Sequence, residues 1–145
     1  MTYQRILIPL ENSPTDRAII EHIQPFARLC NAELILIHVA DGFAARNQEA
    51  LDLADSEEMT QDRNYLAAIE KELAAAGFST RSILEKGDPT TQIVAAAEKE
   101  HASLIAMATH GHGIIQDVLR GSVASAVRHK TDVPVLLVRA PAAPA

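Results

Sequence analysis

The chain reads as an α/β protein: one domain with an open, parallel, five-stranded sheet flanked by helices. Three observations predict this. Short runs rich in Ile, Leu, Val and Ala alternate with helix-length stretches. Four of the five runs are apolar throughout, as strands buried on both faces require. Aromatic residues make up only 3 % of the 145 residues and there is no Trp, while apolar residues reach 48 %, so the core is aliphatic. A chain of this length builds a single core without staples.

The first strand is Arg5–Leu10. The first helix begins at Asn12-Ser13-Pro14. Ser13 suits the cap, Pro14 the first helical position, and Asp16 the acid of a capping box. Ile19, Ile23, Phe26, Ala27 and Cys30 recur on one face of it, and Pro25 interrupts it. Glu33–Val39 is the second strand. Residues 41–58 are acidic and without clear period; they read as a solvated loop, with a flap or an early extension of the second helix as alternatives. That helix carries Leu66, Ile69, Leu73 and Ala76 and stops at Gly77, a left-handed cap. Thr80–Glu85 is more polar and is placed at a sheet edge. The third helix starts at Asp88-Pro89 and presents Ile93, Val94 and Ala97. Ser103–Met107 is the fourth strand. The fourth helix starts after Ser122, which caps it, and the fifth strand is Val133–Val138. Residues 1–139 form the domain and 140–145 a disordered tail.

Alternation of this kind gives parallel strands with right-handed crossovers. It does not by itself give the strand order. With strand one beside strand four, in the order 3-2-1-4-5, the winding reverses between Leu10-Glu11 and Met107-Ala108. Ligands of such sheets bind beyond the carboxyl ends of the strands at that point.

The loop at that point carries the clearest chemistry. Met107-Ala108-Thr109-His110-Gly111 is followed, after a short amphipathic spacer, by Gly121-Ser122. Small residues let the backbone approach a ligand, and a helix start offers amides and a favourable dipole to an anion. A nucleotide is the ligand this suggests. The formal charge of −6 argues against broad nucleic-acid or anionic-membrane binding. No apolar run has membrane-spanning length, and the N-terminus lacks a signal-peptide pattern, so the expected location is cytoplasmic. Cys30 alone cannot make an internal disulfide. His110 and His112 lack a third ligand at metal spacing, and His38 reads as a hydrogen-bonded structural histidine. Asp117 would repel a triphosphate unless magnesium lay between them, and Arg120 could reach a phosphate. No P-loop Lys-Ser or Lys-Thr pair and no Gly-X-Ser-X-Gly elbow is present, so the loop suits holding a nucleotide better than splitting it.

The opening Ile6-Leu7-Ile8-Pro9, the strand end Leu36-Ile37-His38-Val39, Gly87-Asp88-Pro89 and the run Val133 to Val138 resemble the universal stress protein family along nearly the whole chain. Its nucleotide motif is a glycine, two residues, a glycine, nine residues, then glycine with Ser or Thr. Here it reads Ala108, Thr109-His110, Gly111, His112 to Arg120, Gly121-Ser122.

The resemblance implies a Rossmann-like fold of the adenine nucleotide alpha hydrolase type and an ATP-binding regulatory protein, with magnesium, rather than an enzyme. Pro9 and Glu11 would flank the nucleoside, and Val39 would lie near adenine. Met107 and Ala108 would floor the ribose. Gly111, His112, Gly121, Ser122, Val123 and Ala124 would meet phosphates. It implies a homodimer through the edge strand Pro134–Val138 and an unknown regulatory protein partner. Two positions depart from the pattern: Ala108 replaces the first glycine, and Glu11 replaces the usual Asp. These leave open a nucleotide-free family member acting as an interaction module; a slow ATPase is the other alternative.

Overall fold

A computed structural model describes residues 3–41, 48–109 and 115–141, with side chains described at 3–40, 57–109 and 123–141. Strands β1 (Arg5–Pro9), β2 (Glu33–Asp41), β3 (Thr80–Gly87), β4 (Leu104–Thr109) and β5 (Val135–Arg139) alternate with helices α1 (Asp16–Cys30), α2 (Gln48–Ala75), α3 (Pro89–Lys99) and α4 (Ile115–Lys130). The strands form one parallel sheet in the order β3-β2-β1-β4-β5, so both expected edges are edges.

Period-two alternation divides the core between the two faces of the sheet. Ile6, Ile8, Leu34, Leu36, Leu104 and Ala106 pack against Ile19, Ile20 and Ile23 of α1 and Leu66, Ile69 and Leu73 of α2. Leu7, Ile35, Ile37, Ile105 and Met107 pack on the other side against Ile93 and Ala97 of α3 and Ala124 and Val127 of α4. Leu7 and Ile35 are fully buried, as central parallel strands require.

Gly77 has φ 99, as expected of the left-handed residue that ends α2. Asp88 caps α3: its carboxylate accepts from the Thr91 amide at 2.9 Å and the Thr91 hydroxyl at 2.7 Å. Those two bonds, the hydroxyl's first, hold the Asp88 carboxyl below its ordinary range.

Three boundaries differ from the sequence reading. Residues 48–58 are helical, not a solvated loop: α2 begins at Gln48. Ala50, Leu51, Leu53, Ala54 and Glu57 are good helix formers, and local propensity carries the helix where apolar period is absent. Secondly, α1 begins at Asp16, behind Thr15, with no side-chain cap bond. The Ser13 hydroxyl turns to Glu11 instead, while the Asp16 carboxylate takes the loop amides. Thirdly, α4 begins at Ile115, not after Ser122. The spacer is helical from Ile115 on, so Gly121 and Ser122 lie inside the helix.

Candidate functional site

Strand β1 follows β2 as far as Pro9 opposite Ile37, but it pairs with β4 only at Ile6 with Leu104 and Leu7 with Ile105. Beyond those pairs β1 and β4 part. The winding reverses at this point, and a cavity of about 480 Å³ opens there, within the size range of small-molecule sites.

Its walls differ in chemistry. Pro9, Ile37, Val39, Ile93, Met107, Ala108 and Val123 supply an apolar floor; Glu11, Asn12, Asp16, His38, Glu58, Gln61 and Asp62 supply a polar wall. No Lys or Arg lines it among the described residues. That wall suits neutral hydrogen-bond donors, such as sugar hydroxyls or a base amino group, better than phosphate oxygens.

The turn after β1 is built around Asp16, which is 2 % exposed. Its Oδ1 accepts from the Glu11 amide at 2.9 Å, and its Oδ2 from the amides of Asn12 at 2.9 Å and Ser13 at 3.3 Å. Tyr65 of α2 adds its hydroxyl to Oδ2 at 2.6 Å. Burial first, then the bond to Asp16, pushes the Tyr65 phenol well above its ordinary range, so it stays a donor. Asn12 adopts φ 63, a left-handed conformation that Asn tolerates, and its Nδ2 donates to Asp62 Oδ1 at 2.9 Å.

Six of the residues singled out from the sequence meet in this cavity: Pro9, Glu11, Val39, Met107, Ala108 and Val123. Ala124 does not line the cavity; it is buried with Met107 and Val127 in the core under α4. Gly111 and His112 lie outside the described residues, as does His110; the side chains of Gly121 and Ser122 do too. Among the described residues, no group of three or more His, Cys, Asp or Glu side chains is arranged to hold a metal ion.

Sequence reasoning missed the contribution of α2. Glu58, Gln61 and Asp62 stand three and four residues apart, hence on one helix face, and a helix running from residue 48 brings that face to the strand ends. Their spacing is visible in the sequence, but it becomes meaningful only with a helix that already runs through Glu58, the last residue of the stretch without clear period.

The family model for the universal stress protein family matches residues 2–139. The chain belongs to the universal stress protein family. Universal stress protein MJ0577 of Methanocaldococcus jannaschii is 31 % identical, over 94 % of this chain and 95 % of that one. Its solved structure superposes with a TM-score of 0.87, covering 99 % of this chain and 100 % of that chain. Two more distant structures share the fold. A universal stress protein in complex with cAMP has a TM-score of 0.70 at 23 % identity, covering 96 % of this chain and 98 % of its own. One from Archaeoglobus fulgidus in complex with dAMP has a TM-score of 0.70 at 20 % identity, covering 95 % and 99 %. No helix among the described residues is long and apolar enough to cross a membrane.

Proposed function

We propose that this universal stress protein binds ATP, with magnesium, in the cavity at the carboxyl ends of β1, β2 and β4, and acts as a regulatory protein rather than an enzyme. The observation that carries the reading is the cavity itself, where six matched residues meet at the topological switch point. Adenine and ribose fit between the apolar floor and the acidic wall. Relatives of the same fold have been solved with cAMP and dAMP, ligands that share this adenine nucleoside half.

The anionic tail must leave the acidic wall and run toward the connection between β4 and α4. With α4 starting at Ile115, the unpaired amides of its first turn are the helical donors nearest that connection. Magnesium held mainly by phosphate oxygens and water offsets the acid of this chain. Glu11 retains the acid at the end of β1. Binding would change the surface offered to a partner protein in the cytoplasm.

One observation favours the nucleotide-free alternative. The amides of Gly121 to Ala124 lie inside α4, where the helix commits them to carbonyls four residues earlier. Isothermal titration with ATP and magnesium separates the readings: saturable binding of one nucleotide per chain supports the first, and no heat at millimolar ATP supports the second. Phosphate release that scales with protein would point instead to an ATPase.

The dimer is assigned to the β5 edge. Leu137 is 39 % exposed there, whereas Leu136 packs on the core. An apolar edge strand favours pairing with a second copy. Leu137→Lys is expected to weaken the dimer in sedimentation; a dimer of unchanged strength removes this assignment.

A further inference from the structure

The cavity wall holds a buried acid with an oxygen left over. Asp62 of α2 is 5 % exposed, and its Oδ2 has no hydrogen-bond partner among the described residues. Its Oδ1 accepts from Asn12 Nδ2 at 2.9 Å. No Lys or Arg lines the cavity among the described residues, while Glu11, Asp16 and Glu58 add acid to the same wall. A buried carboxylate is ordinarily paired with a cation or coordinates a metal.

Beside that oxygen lies an imidazole nitrogen. His38 of β2 places Nδ1 2.8 Å from the carbonyl oxygen of Leu10. A carbonyl only accepts, so Nδ1 carries the hydrogen and Nε2 is the ring atom available as a ligand. Nε2 lies 3.3 Å from Asp62 Oδ2, yet no hydrogen bond joins them. Oδ2 therefore stands to one side of the ring's nitrogen axis. A proton shared by two atoms lies near the line between them, whereas an ion shared by two ligands lies beside it. Ligands 3.3 Å apart and about 2.1 Å from one ion enclose about 105° there, close to the tetrahedral angle.

Both side chains are also anchored as metal ligands are. A ligating His commonly gives its other N–H to a backbone carbonyl, and a ligating carboxylate is itself hydrogen-bonded. Leu10 and Asn12, both in the turn after β1, play those parts here. The oxygen is closed to solvent, and a bare dication is much smaller than a water molecule or an organic donor group.

We propose that His38 Nε2 and Asp62 Oδ2 are the protein ligands of a divalent transition-metal ion on the cavity wall, with zinc as the type. An imidazole beside a carboxylate suits zinc and its first-row neighbours, whereas magnesium prefers oxygen alone. Water fills the remaining positions on the cavity side. Two protein ligands make the site reversible and leave it open to an oxygen of whatever enters the cavity. It is separate from the magnesium of the nucleotide reading, which phosphate oxygens would hold, and it needs no nucleotide.

The test is titration of zinc chloride into the nucleotide-free protein. The parent chain for it carries His110→Gln and His112→Gln, which removes the His-X-His pair as a competing site. Imidazole nitrogen NMR should show His38 Nε2 shifting as zinc is added, while Nδ1 keeps its hydrogen. Zinc affinity, read by competition with a chelating dye, should fall at least about tenfold in Asp62→Asn and in His38→Gln. Asn at position 62 still accepts from Asn12, so the loss reports the ion and not the turn. The double variant should bind no more weakly than either single one, because both ligands serve one ion. Zinc should raise the Tm of the parent and leave that of the variants unchanged. Magnesium in large excess should leave the zinc in place.

A His38 Nε2 that stays unshifted in excess zinc, equal zinc affinity in parent and variants, or displacement of zinc by magnesium would overturn the site. If Asp62→Asn does not fold, the His38 resonances of the parent decide alone. Failure of the protein to bind ATP would end the nucleotide reading and leave this test untouched.

Discussion

The two ends of the sheet are built on opposite plans. At the amino ends of the strands, charges are paired, with the arginines exposed. Arg5 meets Glu33 at 3.7 Å, and Arg81 bridges Glu33 at 3.4 Å and Glu100. The chain turns back there through Asn31, Gly77 and His101, all at positive φ. At the carboxyl ends of β1 and β2 the charges around the hollow are acidic, and two of them are buried. Asp16 and Asp62 are 2 % and 5 % exposed, and one oxygen of Asp62 has no hydrogen-bond partner among the described residues. The amino end closes the fold with contacts that each contribute little. The carboxyl end holds costly groups that stability alone would not select, the mark of a binding end.

The largest effect should come from Asp16→Ala. Four donors, the amides of Glu11, Asn12 and Ser13 and the Tyr65 hydroxyl, lose a buried acceptor together. A loss of about 3 kcal/mol in chemical denaturation is expected, with loss of ligand binding, because the turn after β1 loses its frame. A change near zero would mean the carboxyl end is no more demanding than the amino end.

Tyr65→Phe removes one of those donors and should cost about 1 kcal/mol by the same assay. The raised Tyr65 phenol fixes the sign of its pH dependence. The contribution is present below the ordinary tyrosine range, about pH 10, and is lost as pH rises through the higher folded value. Stability curves of native and variant protein should therefore run parallel at neutral pH and converge only in strong alkali.

Arg81→Ala should have the smallest effect, under about 1 kcal/mol and smaller still in high salt, although it breaks two ion pairs. The guanidinium is 45 % exposed, so water already screens it. A cost matching that of Asp16→Ala would erase the contrast between the two ends.

The fold was legible because its signals are local and repeated. Aliphatic runs such as Leu34-Ile35-Leu36-Ile37 mark buried strands, and Asp88-Pro89 and Gly77 mark a helix start and a helix end. The strand order needed the family resemblance, since alternation fits several orders. The residues of the floor, Pro9, Val39, Met107 and Ala108, were named through the family resemblance, with topology alone pointing to Met107 and Ala108. The acidic wall, Glu11 apart, was not legible. Asp16 reads as a capping-box acid and does accept from the Ser13 amide, but it also gathers the amides of Glu11 and Asn12, which no local pattern announces. Asp62 carries no local signal: it is buried by partners that adjoin it only after folding. The start of α4 was misplaced because Gly121-Ser122 is a good cap signal, and the residues before it are equally good helix formers. Such choices are settled by tertiary contacts, which no local pattern contains.

The difference between the ends can be read in one experiment: backbone amide NMR during titration with ATP and magnesium. Amides of Leu10, Asn12, Val39 and Ala108, around the hollow, are expected to shift and saturate together, while those of Ala32, Gly77, His101 and Ala102 at the opposite end stay fixed. Shifts at the amino end, or none at the carboxyl end with ATP in excess, would contradict the placement of the binding site.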